Sequence, residues 1–215
     1  MNKKLTFLFS IVTFFALLIS ACGAGGAPEP SHEETTHADT FIAHLSGAPD
    51  SARVVVVVEG GKFDAYICSL DDPFNLTTAR WYKGEINTDN GFQATSSDGV
   101  TLSGSIDGHH FSGTVTNIEG QNFTFEGEAV PAGGPAGLYR GVGTYNGEEV
   151  IVGSVIAEDG TFAATAQFKD RFEFVSPVAS EPNRLSDTSL AVKIGPEGQE
   201  ITVNLVTTLQ GPQIF

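Results

Sequence analysis

Polar and apolar residues alternate through most of this chain, and the alternation constrains the fold more than any other feature. Leu102, Gly104 and Ile106 are separated by polar residues, and residues 111–116 and 123–129 repeat the pattern. Successive side chains of a strand point to opposite faces, so a period of two predicts strands with one buried face. Further strands are predicted near residues 62–69, 78–86, 138–145, 149–157, 161–168, 190–194 and 201–206. We find no helical stripe of useful length.

Glycines recur opposite large residues when these strands are paired through their Asn-Gly and Asp-Gly turns. Simple hairpin pairing sets Phe92 opposite Gly104 and Val150 opposite Gly143. Glycine kinks covered by large side chains let a sheet coil tightly. The valine run at residues 54–58 suits a strand covered on both faces. We therefore predict an all-β fold, an antiparallel meander curled into a barrel or barrel-like sheet.

The hairpin around residue 108 is compatible with two turns. A turn at Asp107-Gly108 sets Gly104 opposite Phe111, whereas a turn at Gly108-His109 shifts the pairing and also keeps the apolar faces aligned. The sequence leaves this register open.

The N-terminus has the organisation of an export signal. Lys3 and Lys4 precede an apolar stretch at residues 5–19, and small residues follow it. A membrane-spanning helix needs roughly 20 apolar residues, so the stretch is short for a permanent span. We predict a cleaved signal peptide.

The residues that end this segment carry a more specific motif. Ile19, Ser20, Ala21 and Cys22 resemble the lipobox of bacterial lipoproteins: an aliphatic residue, two small residues and a cysteine. The resemblance implies a diacylglyceryl group and further acylation on Cys22, with removal of the preceding peptide. In that family an Asp after the cysteine often retains the protein at the inner membrane. Here the position is Gly23, which favours the outer membrane if the cell has two.

The chain after Cys22 divides by composition. Residues 23–40 are rich in Gly, Ala, Pro, Glu and Thr without apolar periodicity, which is typical of a flexible tether. The predicted parts are a signal peptide at 1–21, the lipidated cysteine and tether at 22–40, a β-meander or barrel domain at 41–176, and a C-terminal β-hairpin extension at 177–215. The sequence leaves open whether the extension joins the main sheet.

The charge excludes one large class of partner. Removal of Lys3 and Lys4 with the signal peptide leaves nine basic against 26 acidic residues, a formal charge of −17. Nucleic-acid binding depends on Lys and Arg that neutralise phosphates, so we exclude it. Cys68 is then the unmodified cysteine, and without a partner in the chain it is predicted to be a buried hydrophobe.

Motifs for chemistry are absent from the sequence. It has no Gly-x-Ser-x-Gly hydrolase elbow, no phosphate-cradling loop and no calcium loop of the Asp-x-Asp-x-Asp-Gly type. His32 and His37 stand near carboxylates in the tether, where solvation explains them better than a metal. We predict no catalytic residue, no metal site and no cofactor.

One aromatic pair suggests a ligand site. Trp81 and Tyr82 are similar to the Trp-Tyr pair of lipocalins, although position 79, where that family has glycine, is Ala. The resemblance implies a barrel that carries a small ligand. We expect Trp81, Tyr82, Tyr139 and Arg140 to line its mouth, with packing in the core or rim as the alternative.

A second resemblance carries no activity. Residues 65–68 and 136–140 resemble parts of uncharacterised secreted bacterial β-meander proteins, over roughly residues 65–168. We predict an exported, membrane-anchored envelope lipoprotein whose β module binds or scaffolds without catalysis. Its expected partners are the membrane, through lipid, and an envelope protein or small ligand. The alternatives are a lipocalin-like carrier and a hydrolase with a loop-borne site.

Overall fold

The computed structural model describes residues 38–209, which form two antiparallel sheets. The all-β, barrel-like prediction is confirmed. The predicted signal peptide, Cys22 and residues 23–37 of the predicted tether lie outside the described residues, as do residues 210–215.

The first sheet has eight strands and curls into a nearly closed barrel. They are β1 (Asp39–Ser46), β2 (Arg53–Glu59), β3 (Lys62–Cys68), β4 (Trp81–Glu85), β5 (Gly91–Thr95), β6 (Thr101–Asp107), β7 (His110–Thr116) and β8 (Asn122–Ala129). Their order is β4-β3-β2-β1-β8-β7-β6-β5. The two edge strands follow one another along the chain, and the rings of Phe63 on β3 and Phe92 on β5 lie 5.4 Å apart across the gap.

Four phenylalanine rings inside the barrel lie over glycines of a neighbouring strand. The pairs are Phe63–Gly84, Phe92–Gly104, Phe125–Gly113 and Phe111–Gly127. A Cβ built on Gly104 would lie 2.7 Å from the Phe92 ring, closer than carbon atoms can approach. Each glycine therefore makes room for a ring, and the rings fill the barrel with the buried Leu45 and Leu102.

The predicted register around residue 92 is confirmed, because Phe92 pairs with Gly104. In the next hairpin the turn consists of Gly108 and His109, so Gly104 pairs with Gly113. The alternative turn one residue earlier, which set Gly104 opposite Phe111, is wrong. Gly108 has φ +61° and takes the first turn position, where a left-handed backbone favours glycine.

The second sheet has six strands and forms a half-barrel. They are β9 (Gly137–Tyr145), β10 (Glu148–Ile156), β11 (Phe162–Phe168), β12 (Asn183–Arg184), β13 (Ser189–Ile194) and β14 (Gln199–Leu205). Their order is β11-β10-β9-β14-β13-β12, and Val150 pairs with Gly143 as predicted. β14 pairs with β9 through Asn204 and Arg140. The C-terminal hairpin thus belongs to the same sheet as β9–β11.

One short helix interrupts the barrel between β3 and β4. Helix α1 (Asp72–Thr78) begins after Asp71, whose carboxylate accepts a hydrogen bond of 2.8 Å from the backbone N–H of Phe74. This is an ordinary N-cap. The residue pattern predicted no helix here, and the strand expected from residue 78 begins at Trp81.

The valine run of β2 connects the two sheets, because it is buried on both faces as predicted. Val54 and Val56 face the barrel interior, whereas Val55 and Val57 face the second sheet. The second group packs in a cluster whose other buried members are Tyr66, Cys68, Leu138, Val155 and Ala163. Strand β2 is therefore part of the barrel wall and part of the contact between the sheets.

The glycine positions in the barrel wall generate a prediction. Gly113→Val should lower the free energy of unfolding by at least about 1–3 kcal/mol, because overpacking is destabilising. Its Cβ would collide with the backbone oxygen of Ser103 and with the ring of Phe125. Ser112→Val is the matched control, since Ser112 is exposed on the outer face. Equal shifts in chemical denaturation for the two variants would contradict this arrangement.

Candidate functional site

The four residues predicted to bind a ligand do not share one mouth. Tyr82 points into the barrel, where it is buried and its hydroxyl has no hydrogen-bond partner among the described residues. Trp81 is its neighbour on β4, so it points to the opposite face. Tyr139 and Arg140 on β9 separate in the same way, with Tyr139 in the core of the second sheet.

Trp81 and Arg140 meet at the contact between the sheets. The Trp81 ring stacks on Tyr66 at 3.9 Å between centroids, and the Arg140 guanidinium lies 5.6 Å from the Trp81 ring centroid. Arg140 also forms an ion pair of 3.5 Å with Asp64 on β3. Gly153 on β10 lies against both Trp81 and Tyr66, where a Cβ would lie 2.5 Å from each ring. These residues therefore form part of the contact that packs the second sheet against the barrel.

Asp64 is the charged residue of this contact that burial affects most. Burial raises the pKa of its carboxyl above the ordinary value, and the positive charges of Lys83 and Arg140 oppose that shift. A carboxylate here costs free energy unless a cation accompanies it. Arg140 therefore contacts both Asp64 and Trp81 and compensates the buried carboxylate.

Tyr139 connects the second sheet to the segment that joins the two sheets. Its hydroxyl donates a hydrogen bond of 2.6 Å to the backbone oxygen of Pro135. Burial raises the pKa of Tyr139, the nearby charge of Arg184 opposes this, and Asp187 adds to it. Tyr139 therefore fixes the linker, residues 130–136, against the sheet.

The linker separates two surface cavities. The first has a volume of about 440 Å³. It is lined by Ala38, Asp39, Thr40, His109, Ala129, Leu205, Val206, Thr207 and most of the linker. The second has a volume of about 420 Å³. Both volumes fall within the range of small-molecule sites in proteins.

The second cavity is the more apolar of the two. Its lining outside the linker consists of Ile156, Ala157, Glu158, Gly160, Phe162, Pro182 and Arg184, and Val130, Pro131, Gly134, Pro135 and Ala136 complete it. Two side chains of opposite charge, Glu158 and Arg184, stand among these residues. An apolar cavity with few polar groups is the usual form of a ligand site, and we take this one as the candidate site.

Sequence reasoning missed this site for an identifiable reason. Pro131 and Pro135 interrupt the series of predicted strands, but the cavity also needs residues of β10, β11 and β12, which lie further along the chain. The available signal was this proline- and glycine-rich segment between predicted strands.

Residues 38–209 contain neither a cluster of metal-ligating side chains nor a membrane-spanning helix. No group of three or more His, Cys, Asp or Glu side chains is placed to hold a metal ion in this range. The helix in the same range is too short and too polar to cross a membrane.

Cys68 lies on the outer face of β3 and is covered by the second sheet. It is fully buried, as predicted, and it is a free cysteine. Burial raises the pKa of its thiol, and the charge of Arg53, which pairs with it across β2 and β3, opposes that shift. The Tyr66 hydroxyl beside it bonds the Thr165 hydroxyl at 2.5 Å.

Comparison with known proteins identifies no family. No family profile and no curated protein matches this chain. A solved structure from Nitrosomonas europaea, provisionally described as AttH, is 9% identical and covers 86% of this chain and 98% of its own. The TM-score is 0.22, so this likeness supports no conclusion about fold or function.

The burial of Cys68 generates a second prediction. In a Cys22→Ser background, Cys68 should resist a disulfide reagent at neutral pH, because a buried neutral thiol is a poor nucleophile. It should react fully in denaturant, which absorbance of the released thiolate would measure. The Cys68→Ala chain is the blank. Rapid labelling of the native chain, or a covalent dimer through Cys68, would contradict the structural role.

Proposed function

We propose that this chain is an exported bacterial lipoprotein whose β-domain acts as a non-enzymatic binding module at the cell surface. The observation that carries the binding role is the second cavity, an apolar site of about 420 Å³ beside the linker. The motif at residues 19–22 carries the anchoring role. In a cell with two membranes, Gly23 favours the outer one.

Lipid on Cys22 would supply an attachment that the rest of the sequence lacks. The chain after residue 22 has no apolar stretch comparable to residues 5–19. One acyl chain gives marginal membrane binding, whereas two or more give stable anchoring, at about 0.8 kcal/mol per buried CH₂.

The strong negative charge is consistent with this arrangement. A mature chain with a formal charge of −17 is repelled by anionic lipid surfaces. A covalent anchor holds such a chain at the membrane, and the polar segment at residues 23–37 gives the β-domain distance from it.

The cavities beside the linker support binding of a small ligand. Phenylalanine, leucine and valine side chains occupy the barrel interior, which favours the linker cavities over a barrel lumen as the ligand position. The alternative is a lipocalin-like carrier, which would take up a small ligand and release it again.

The absence of catalytic motifs in the sequence supports a module that binds. The two buried hydroxyls without a partner among the described residues, those of Tyr82 and Ser154, lie in separate cores. The other non-enzymatic role consistent with the sequence is the scaffolding of an envelope protein.

Anchoring is tested by removing the lipid acceptor. Cys22→Ser should move the chain from the membrane fraction to the soluble fraction, because the acyl chains are then lost. Immunoblots of fractions washed in high salt measure the distribution, and metabolic labelling with palmitate measures the acylation.

Cys68→Ala is the matched control, since it removes the other cysteine without touching the motif. It should remain in the membrane fraction and take up label. If the Cys22→Ser chain stays in the membrane pellet after a high-salt wash, the lipoprotein proposal is wrong.

A further inference from the structure

The arginines of this acidic chain form ion pairs with carboxylates, with one exception among the described residues. All five lie within residues 38–209, and four of them form ion pairs with carboxylates: Arg53–Asp159, Arg80–Asp98, Arg140–Asp64, and Arg171 with Glu148 and Glu173. Arg184 forms no ion pair with any of the described residues. In a chain where acids outnumber bases by more than two to one, an arginine without a carboxylate partner is unusual.

Arg184 also has an unusual position. It lies on β12, a two-residue edge strand, and lines the apolar cavity beside the linker. The cavity surface around it comes mainly from proline, aliphatic and aromatic side chains, including Pro131, Phe162 and Pro182. A guanidinium offers five N–H donors in a planar fork that matches a carboxylate.

We propose that this cavity binds an amphipathic carboxylate, with the acid group on Arg184 and the apolar part between Phe162 and the linker prolines. This proposal rests on the proposed binding function and adds the chemical class of the ligand. Charge complementarity selects an anion, and the apolar lining selects a hydrocarbon or aromatic body.

Glu158 is the second charged residue of the cavity and discriminates between two ligand classes. It forms no ion pair with the described residues. A simple carboxylate gains nothing from Glu158, and removal of this negative charge leaves its affinity equal or higher. A zwitterion with an ammonium group would instead lose affinity when Glu158 is neutralised.

The test uses the mature chain from residue 22 with Cys22→Ser, so that its outcome does not depend on anchoring. The probes are octanoate and the uncharged 1-octanol, and calorimetric titration measures their dissociation constants. Arg184→Gln should weaken octanoate binding about tenfold or more, the loss expected for a hydrogen bond to a charged group. The Arg184→Gln chain should bind 1-octanol with the same affinity as the parent chain.

Two further variants test whether the probes bind in this cavity and whether the loss of octanoate affinity is specific to Arg184. Arg171→Gln is the matched control for charge, because Arg171 is exposed and lies outside the cavity, and it should bind octanoate like the parent. Ala157→Phe places a ring in the cavity and should weaken both probes. Thermal melts of every variant establish that each one folds.

The outcomes separate the two levels of the proposal. If neither probe binds the parent chain, the cavity is not a site for small amphipathic ligands, and the proposed binding function loses its support. If both bind but Arg184→Gln leaves octanoate unaffected, or weakens both probes equally, the carboxylate inference alone is wrong. Weaker octanoate binding in Glu158→Gln would also overturn it. If 2-aminooctanoate binds the parent more tightly than octanoate, the ligand class is a zwitterion instead.

Discussion

The barrel depends on phenylalanine rings that lie over glycines of neighbouring strands. A glycine in a strand costs about 0.5–1 kcal/mol relative to alanine, and burial of a phenylalanine side chain contributes about 1.5–3 kcal/mol. Each pair is therefore favourable on balance, and the rings, such as Phe111 and Phe125 with centroids 5.2 Å apart, also contact each other. Because the glycines have no side chain, the wall curves closely around the rings. The phenylalanine–glycine pairs that stabilise the barrel also fill its interior. The two cavities described beside the linker lie outside the barrel wall.

The second sheet is attached to the barrel through the outer face of β2 and β3. Val55, Val57 and Cys68 bury that face, and the stack of Arg140, Trp81 and Tyr66 closes it against Gly153. Once the two sheets are held in this way, the segment that joins them must cross between their ends. Its prolines then form the walls of cavities that neither sheet has alone.

The cavity beside the linker differs from the rest of the molecule in the way its arginine is used. An acidic chain with few cations uses its arginines to fix contacts, as Arg53 does with Asp159 across 106 positions of sequence. Arg184 departs from that use: it forms no ion pair with the described residues and lines a mainly apolar cavity from an exposed edge strand. At Cys68 burial has the opposite result, because it raises the pKa of the thiol more than the nearby charge of Arg53 lowers it. The surroundings of Cys68 therefore favour the neutral thiol.

The sequence alone determined most of the strands, the all-β class, the burial of the valine run on both faces and the pairing of Phe92 with Gly104, because these depend on local alternation and on turn residues. It also indicated burial of Cys68. It did not determine the register at Gly108, where two turns preserve the same faces, nor helix α1, whose seven residues are too few to show a periodic pattern. Strand alternation by itself puts Trp81 and Tyr82 on opposite faces, but only the tertiary structure brought Trp81 to Arg140 and joined β14 to β9. The cavity around Arg184 is likewise a product of tertiary structure, because its walls come from segments as distant in sequence as Val130 and Arg184, which meet only when the second sheet is formed.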